Sequence, residues 1–226
     1  MTAKTFKIEN EQLSNEIVNL VIEVLENGGI IVYPTETAYG IGCDVFNENA
    51  VKRIYQLKKR AEDQPLPVIV SSLDMAERIA VLTPEIIDLS NKFHPGSLVI
   101  AAQKRDLIPK IVNPLGIAFR ISSNKIIHQL VSCFNKPIIS TSANLSGNSA
   151  PYSISNIKSQ LDFDLIDIIL DSGELPKRKP STIVDFQLSP SPQIIREGEI
   201  TAEEILDTLE IKKDKWKYHL LNKLTS

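Results

Sequence analysis

Four stretches of this chain gather hydroxyl or cationic side chains at the edge of an apolar run: Thr35–Gly42, Lys58–Leu66, Ser140–Gly147 and Pro180–Asp185. Arg120 and Arg196 add guanidinium groups at the ends of two further apolar runs. Loops of Ser, Thr, Asn and Gly combine many hydrogen-bonding groups with little bulk, so a polar ligand can come close to the backbone. Lys58, Arg60, Arg120 and Arg196 together suit a polyanion, with arginine forks matched to carboxylate or phosphate oxygens. Taken singly, each arginine reads as a solvated strand-end charge, and Ser, Asn and Gly dominate ordinary turns. The chemistry depends on whether these stretches converge on one cleft.

Other chemistries are disfavoured. There is no P-loop, dinucleotide fingerprint, HExxH or nucleophile elbow. His94, His128 and His219 have no acidic partner at useful spacing, which argues against a histidine acid/base mechanism. Cys43 and Cys133 form no CxxC or Cys/His metal pattern and sit among apolar residues, where a buried, inert thiol is expected. No metal-binding residue is therefore assigned. A formal charge of −3 over 226 residues gives no basic signature for nucleic acid. The N-terminus has no signal-peptide pattern, and no apolar run approaches the roughly 20 residues that span a bilayer. A cytoplasmic protein without a membrane partner is expected.

The elements that must position these groups can be read from periodicity. Asn15–Glu26 has a helical apolar face that Gly28-Gly29 ends. Ile30–Tyr33 reads as a buried strand, followed by a loop over 34–42. Helices are expected over 49–59, from Ser72 to Ile79, from Thr83-Pro84 onward, over 126–134 and over 153–161. Thr201 and Glu204 form a capping box for a last helix to Leu209. Strands are expected at 6–8, 66–70, 98–102, 117–121, 138–139, 166–170, 182–185 and 193–196. The fold class is α/β: a twisted, mixed, open sheet with flanking helices, in one domain over 1–210. Lys177-Arg178-Lys179 reads as a basic surface loop. The tail over 211–226 is lysine-rich and expected to be an amphipathic helix that docks on the domain.

The chain resembles the YrdC-type threonylcarbamoyl-AMP synthases. The likeness rests on Gly28-Gly29 with Tyr33–Gly42, Lys58-Lys59-Arg60 with Pro65-Leu66, and His94-Pro95-Gly96. It continues through Ala118-Phe119-Arg120, Ser142–Gly147, Pro180–Asp185 and Ile195–Gly198, in that order and over nearly the whole domain. The resemblance implies a YrdC-like concave cleft. It also implies a reaction in which L-threonine, bicarbonate (or CO2) and ATP, with Mg2+, give L-threonylcarbamoyl-AMP and pyrophosphate. The product would pass to the tRNA threonylcarbamoyl-transfer machinery, which modifies the adenosine beside the anticodon.

Carried over by motif, the catalytic residues are Lys58, Arg60, Ser142 and Asn144. The ATP side takes Lys58, Arg60, Gln64, Ser142, Asn144 and Arg196, and the threonine side takes Thr37, Arg120, Ser140 and Ser181. The implied chemistry needs little proton transfer by side chains and much charge neutralisation and positioning, which suits these residue types. This sequence departs from the family pattern at Gln64, Ile69, Ser97, Leu98 and Ser122. Ile69 stands where some members carry a histidine, and Ser122 where a proline is frequent. Two alternatives stand beside this reading: a non-catalytic RNA-binding module with weak RNA contact, and a carbamoyl-adenylating domain with another acceptor.

Overall fold

The structure, a computed structural model, describes residues 3–9, 11–187 and 192–211. In chain order the elements are β1 (Lys4–Lys7), α1 (Asn15–Glu26), β2 (Ile31–Pro34), β3 (Tyr39–Gly42), α2 (Glu48–Lys58) and β4 (Val68–Ile69). Next come α3 (Leu73–Ile79), α4 (Pro84–Phe93), β5 (Leu98–Gln103), β6 (Gly116–Arg120), α5 (Lys125–Phe134), β7 (Ile138–Ile139) and β8 (Thr141–Ser142). The chain continues with α6 (Ile154–Lys158), β9 (Ile168–Asp171), β10 (Thr182–Asp185), β11 (Gln193–Arg196) and α7 (Ala202–Thr208).

Helix starts follow local chemistry. Ser14, Asn47, Ser72, Thr83, Asn124 and Thr201 each accept from a backbone N–H inside the first turn of the helix that follows. Such a cap contributes about 1 kcal/mol by satisfying a donor that the helix itself cannot pair. Gly28, at φ +78, ends α1 in the left-handed conformation expected of it.

One mixed sheet is expected from the sequence; the structure has two. A five-stranded sheet runs β1-β9-β2-β3-β8, and a six-stranded sheet runs β11-β10-β5-β6-β4-β7. The two meet in the run 138–142. Its first half pairs with β4 (Val68↔Ile139, Ile69↔Ile138), and its second half pairs with β3 (Gly40↔Ser142, Ile41↔Thr141). Ser140 lies between the halves and donates its backbone N–H to the Pro67 carbonyl at 2.8 Å. Ile139 N–H bonds the Cys43 carbonyl at 2.9 Å, so the same run also lies along the chain that follows β3. Alternating pairing of this kind leaves no periodicity in sequence, which is why a single sheet is the natural reading.

The expected loop over 34–42 is a second correction. Tyr39–Gly42 is a fully buried strand antiparallel to β2, and the true turn is only 35–38. Thr35 Oγ1 closes that turn, donating to the Ala38 carbonyl at 2.6 Å and accepting from the Thr37 and Ala38 N–H groups. Cys43 is buried as expected, and burial pushes its thiol pKa up; Cys133 is exposed on α5, against the expectation that it too is buried. The expected tail helix lies outside the described residues except for Ile211. Among the described residues, no helix is long and apolar enough to cross a membrane.

Candidate active site at the seam between the sheets

The residues singled out in sequence fall into two bonded clusters on either side of the seam. The first is built on Lys58, the last residue of α2. Lys59 adopts a left-handed conformation (φ 48), which turns the chain sharply and sends Lys58 inward. Lys58 is 1% exposed. Its Nζ donates to the Ser142 carbonyl, to the Asn144 carbonyl at 2.7 Å and to Asn144 Oδ1 at 3.3 Å. An ammonium has three N–H groups, and all three are used on the Ser142–Asn144 segment. Burial, and then the like charge of Arg60, push the Lys58 pKa down to about 7. The three carbonyl acceptors pull the other way and favour the charged form. Ser142 Oγ also donates to Asn144 Oδ1, and Asn144 Nδ2 donates to the Asn148 carbonyl at 2.6 Å. The loop is therefore shaped from within by one buried cation.

Arg60 and Gln64 stand beside this cluster. Arg60 is half-buried, and its Nε and Nη2 donate to the Gln64 and Pro65 carbonyls at 3.1 and 2.9 Å. Gln64 is exposed, and it is its main-chain oxygen that Arg60 and Tyr55 Oη hold.

The second cluster is built on Ser181. Its Oγ accepts from Arg120 Nη1 at 3.2 Å, and its carbonyl accepts from Arg196 Nε at 3.0 Å. One residue thus anchors two guanidinium groups from β6 and β11. Arg120 also pairs with Glu36, Nη1 to Oε1 at 2.7 Å, with both side chains under a tenth exposed. Ser122 donates a short hydrogen bond to the other Glu36 oxygen. Because Glu36 sits on the β2–β3 turn of one sheet and Arg120 on the other sheet, these bonds tie the hairpin tip across the seam. Thr37 Oγ1 lies 3.1 Å from Thr35 Oγ1 on the same turn. Ser140 is 6% exposed, and the neighbouring Ile139 carbonyl accepts from Tyr33 Oη at 3.2 Å; burial pushes the Tyr33 pKa up.

Sequence reasoning missed Glu36, Ser122 and His94 as members of this cluster. The lone carboxylate of the Thr35–Gly42 stretch was the available signal for Glu36. His94 places Nε2 2.9 Å from the Leu98 carbonyl, while its Nδ1 is buried without a partner. Donation from Nε2–H to that carbonyl fixes a neutral ring with Nδ1 bare. Burial pushes the His94 pKa down to about 4, and the Arg120 charge adds to the depression. Ile69 is fully buried and in register with Arg120 in the parallel β4–β6 pair. The Lys177–Lys179 loop is exposed as expected, with Arg178 3.6 Å from Glu199. Among the described residues, no group of three or more His, Cys, Asp or Glu side chains is placed to hold a metal.

These features define an α/β protein with two hydrogen-bonded polar clusters at the junction of two sheets, built from a lysine, arginines and small hydroxyl and amide side chains. The chain belongs to the Sua5/YciO/YrdC family: the family model described as "Telomere recombination" matches residues 23–198. A threonylcarbamoyl-AMP synthase of Pyrococcus abyssi is 31% identical over 86% of this chain and 58% of its own length. A putative threonylcarbamoyl-AMP synthase of Methanocaldococcus jannaschii is 31% identical over 87% of this chain and 92% of its own. The chain thus spans little more than half of the Pyrococcus protein and nearly all of the Methanocaldococcus one. Among solved structures, P. abyssi Sua5 complexed with L-threonine superposes with a TM-score of 0.83 at 29% identity. That match covers 91% of this chain and 60% of the other. E. coli YciO superposes with a TM-score of 0.80 at 25% identity, over 90% of this chain and 98% of the other.

Proposed function

We propose that the cleft binds L-threonine, bicarbonate or CO2, and ATP, and forms L-threonylcarbamoyl-AMP with release of pyrophosphate. The threonine amine attacks CO2 to give a carbamate and gives up a proton to solvent. A carbamate oxygen then attacks the α-phosphorus, and the bond to the β-phosphate breaks as pyrophosphate leaves. The observation that carries this reading is the joint anchoring of Arg120 and Arg196 on Ser181. It sets two cations side by side, and on this reading Arg120 takes a carboxylate and Arg196 a phosphate.

On this reading Arg120, Ser181, Ser140 and Thr37 hold threonine, and Arg60, Gln64, Ser142, Asn144 and Arg196 hold ATP. Lys58 acts by shaping the Ser142–Asn144 loop and by the field of its buried charge. Mg2+ would arrive with the nucleotide and would neutralise part of the phosphate charge. The carboxylate at the cleft, Glu36, is already bonded to Arg120 and Ser122. The relatives' names and the threonine complex of P. abyssi Sua5 support the reading. The product would serve threonylcarbamoylation of tRNA beside the anticodon, in the cytoplasm.

Mass spectrometry of the product from ATP, labelled bicarbonate and mixed amino acids tests the proposal. A labelled threonylcarbamoyl-adenylate is expected. An adenylate of another carbamate would move the acceptor, and salt-sensitive RNA binding without ATP consumption would replace the enzyme with an RNA-binding module.

A further inference from the structure

Glu36 is a buried carboxylate to which the reaction above gives no task. Its side chain is 8% exposed, at the tip of the β2–β3 turn. Burying a carboxylate costs several kcal/mol, and an ion pair with good geometry roughly repays that cost without adding much stability. A pair of this kind is therefore better explained by what it orients than by what it stabilises.

The orientation can be read atom by atom. Arg120 Nη1 is fully committed, to Glu36 Oε1 at 2.7 Å and Ser181 Oγ at 3.2 Å. Arg120 Nε and Nη2 have no partner among the described residues, and neither is among the buried atoms left unpaired. Nε and Nη2 form one edge of the planar guanidinium, the edge that takes two carboxylate oxygens side-on. Glu36 is in turn held by Ser122, which is 0% exposed and bonds its second oxygen.

We propose that Glu36, steadied by Ser122, is the positioning residue of Arg120, pinning Nη1 so that the Nε–Nη2 edge meets the α-carboxylate of the amino-acid substrate. This rests on the cleft being an amino-acid site. Glu36 also offsets part of the repulsion between the two guanidinium groups that share Ser181. A mobile Arg120 would still carry its charge, but it would lose the fixed fork that tells a carboxylate from a neutral amide.

The test compares the full-length protein with Glu36→Gln, Glu36→Asp and Ser122→Ala, reading pyrophosphate release and equilibrium binding of L-threonine and L-threoninamide. Glu36→Gln should raise the KM for threonine about tenfold, the effect of losing one charge-assisted hydrogen bond. The ATP KM and the kcat at saturating threonine should stay within about twofold, as expected for a loss confined to substrate binding. The preference for threonine over threoninamide should narrow in the same variant. Glu36→Asp, too short to bridge both partners, should not rescue. Ser122→Ala removes one hydroxyl and should show a smaller rise in the same constant; it decides the matter if Glu36→Gln does not fold. An unchanged threonine KM and unchanged amide discrimination in a folded variant overturn the inference while leaving the reaction intact. A wild-type protein that neither binds threonine nor releases pyrophosphate overturns the amino-acid reading, and this inference with it.

Discussion

Gly42 and Ile139 meet main chain to main chain: a Cβ on Gly42 would fall inside the contact radius of the Ile139 carbonyl oxygen. That approach lets the run 138–142 lie against β3 and its continuation while pairing with β4 on its other side. Gly42→Ala should therefore separate the sheets at the seam. The expected loss is about 3 kcal/mol or more, since backbone rather than a yielding side chain stands in the way. Gly147→Ala is the control. Nothing lies within 4 Å of its added Cβ, and only its φ of +87 is unfavourable. It should cost about 1 kcal/mol. Chemical denaturation of the two variants separates these outcomes.

Lys58→Met should damage both loop and stability. It removes the ammonium from three acceptors: Asn144 Oδ1 keeps Ser142 Oγ and the Ser142 carbonyl keeps the Asn144 N–H, while the Asn144 carbonyl loses its donor at a cost of about 1–3 kcal/mol. The expected loss lies in that range, with pyrophosphate release abolished. Lys58→Arg should not restore activity, because a planar fork cannot copy three convergent ammonium bonds. Activity retained in either variant would remove Lys58 from the site.

Arg60→Ala is expected to separate activity from stability. The side chain is half-buried and, among the described residues, hydrogen-bonds only the Gln64 and Pro65 carbonyls, so unfolding should shift by less than about 1 kcal/mol. Adenylate formation should fall at least about a hundredfold if this guanidinium faces the phosphates. A normal turnover would assign the phosphate side to Arg196 alone.

His94 should make the fold acid-sensitive over a defined window. Its pKa falls from 6.5 to about 4 on folding, so between those values the unfolded chain binds more protons. Stability is then fully present above about pH 6.5 and is lost as pH falls through about 4, by roughly 3 kcal/mol. His94→Gln keeps a donor for the Leu98 carbonyl and removes the titration. The difference between wild type and this variant, followed by denaturant unfolding from pH 4 to 7, should show that slope; parallel curves would place His94 in contact with solvent.

Helix starts were legible in the sequence because a cap is a contact between near neighbours: Ser72 to Met75, Thr201 to Glu204. The strands Thr182–Asp185 and Gln193–Arg196 were read with their observed bounds, since their apolar runs end in charged residues at both places. The order of motifs from Gly28 to Gly198 was enough to indicate the family that residues 23–198 match.

What only the tertiary structure decided depends on partners far along the chain. Nothing in Tyr39-Gly40-Ile41-Gly42 distinguishes a strand from a glycine-rich loop until β2 and the run around Ser142 flank it. Lys58 reads as a helix-end surface cation, and its burial is set by carbonyl groups more than 80 residues away. The Glu36–Arg120 pair spans a similar separation and crosses from one sheet to the other. Local propensity and capping act over three or four residues, whereas burial and ion pairing are fixed only when the sheets close on each other.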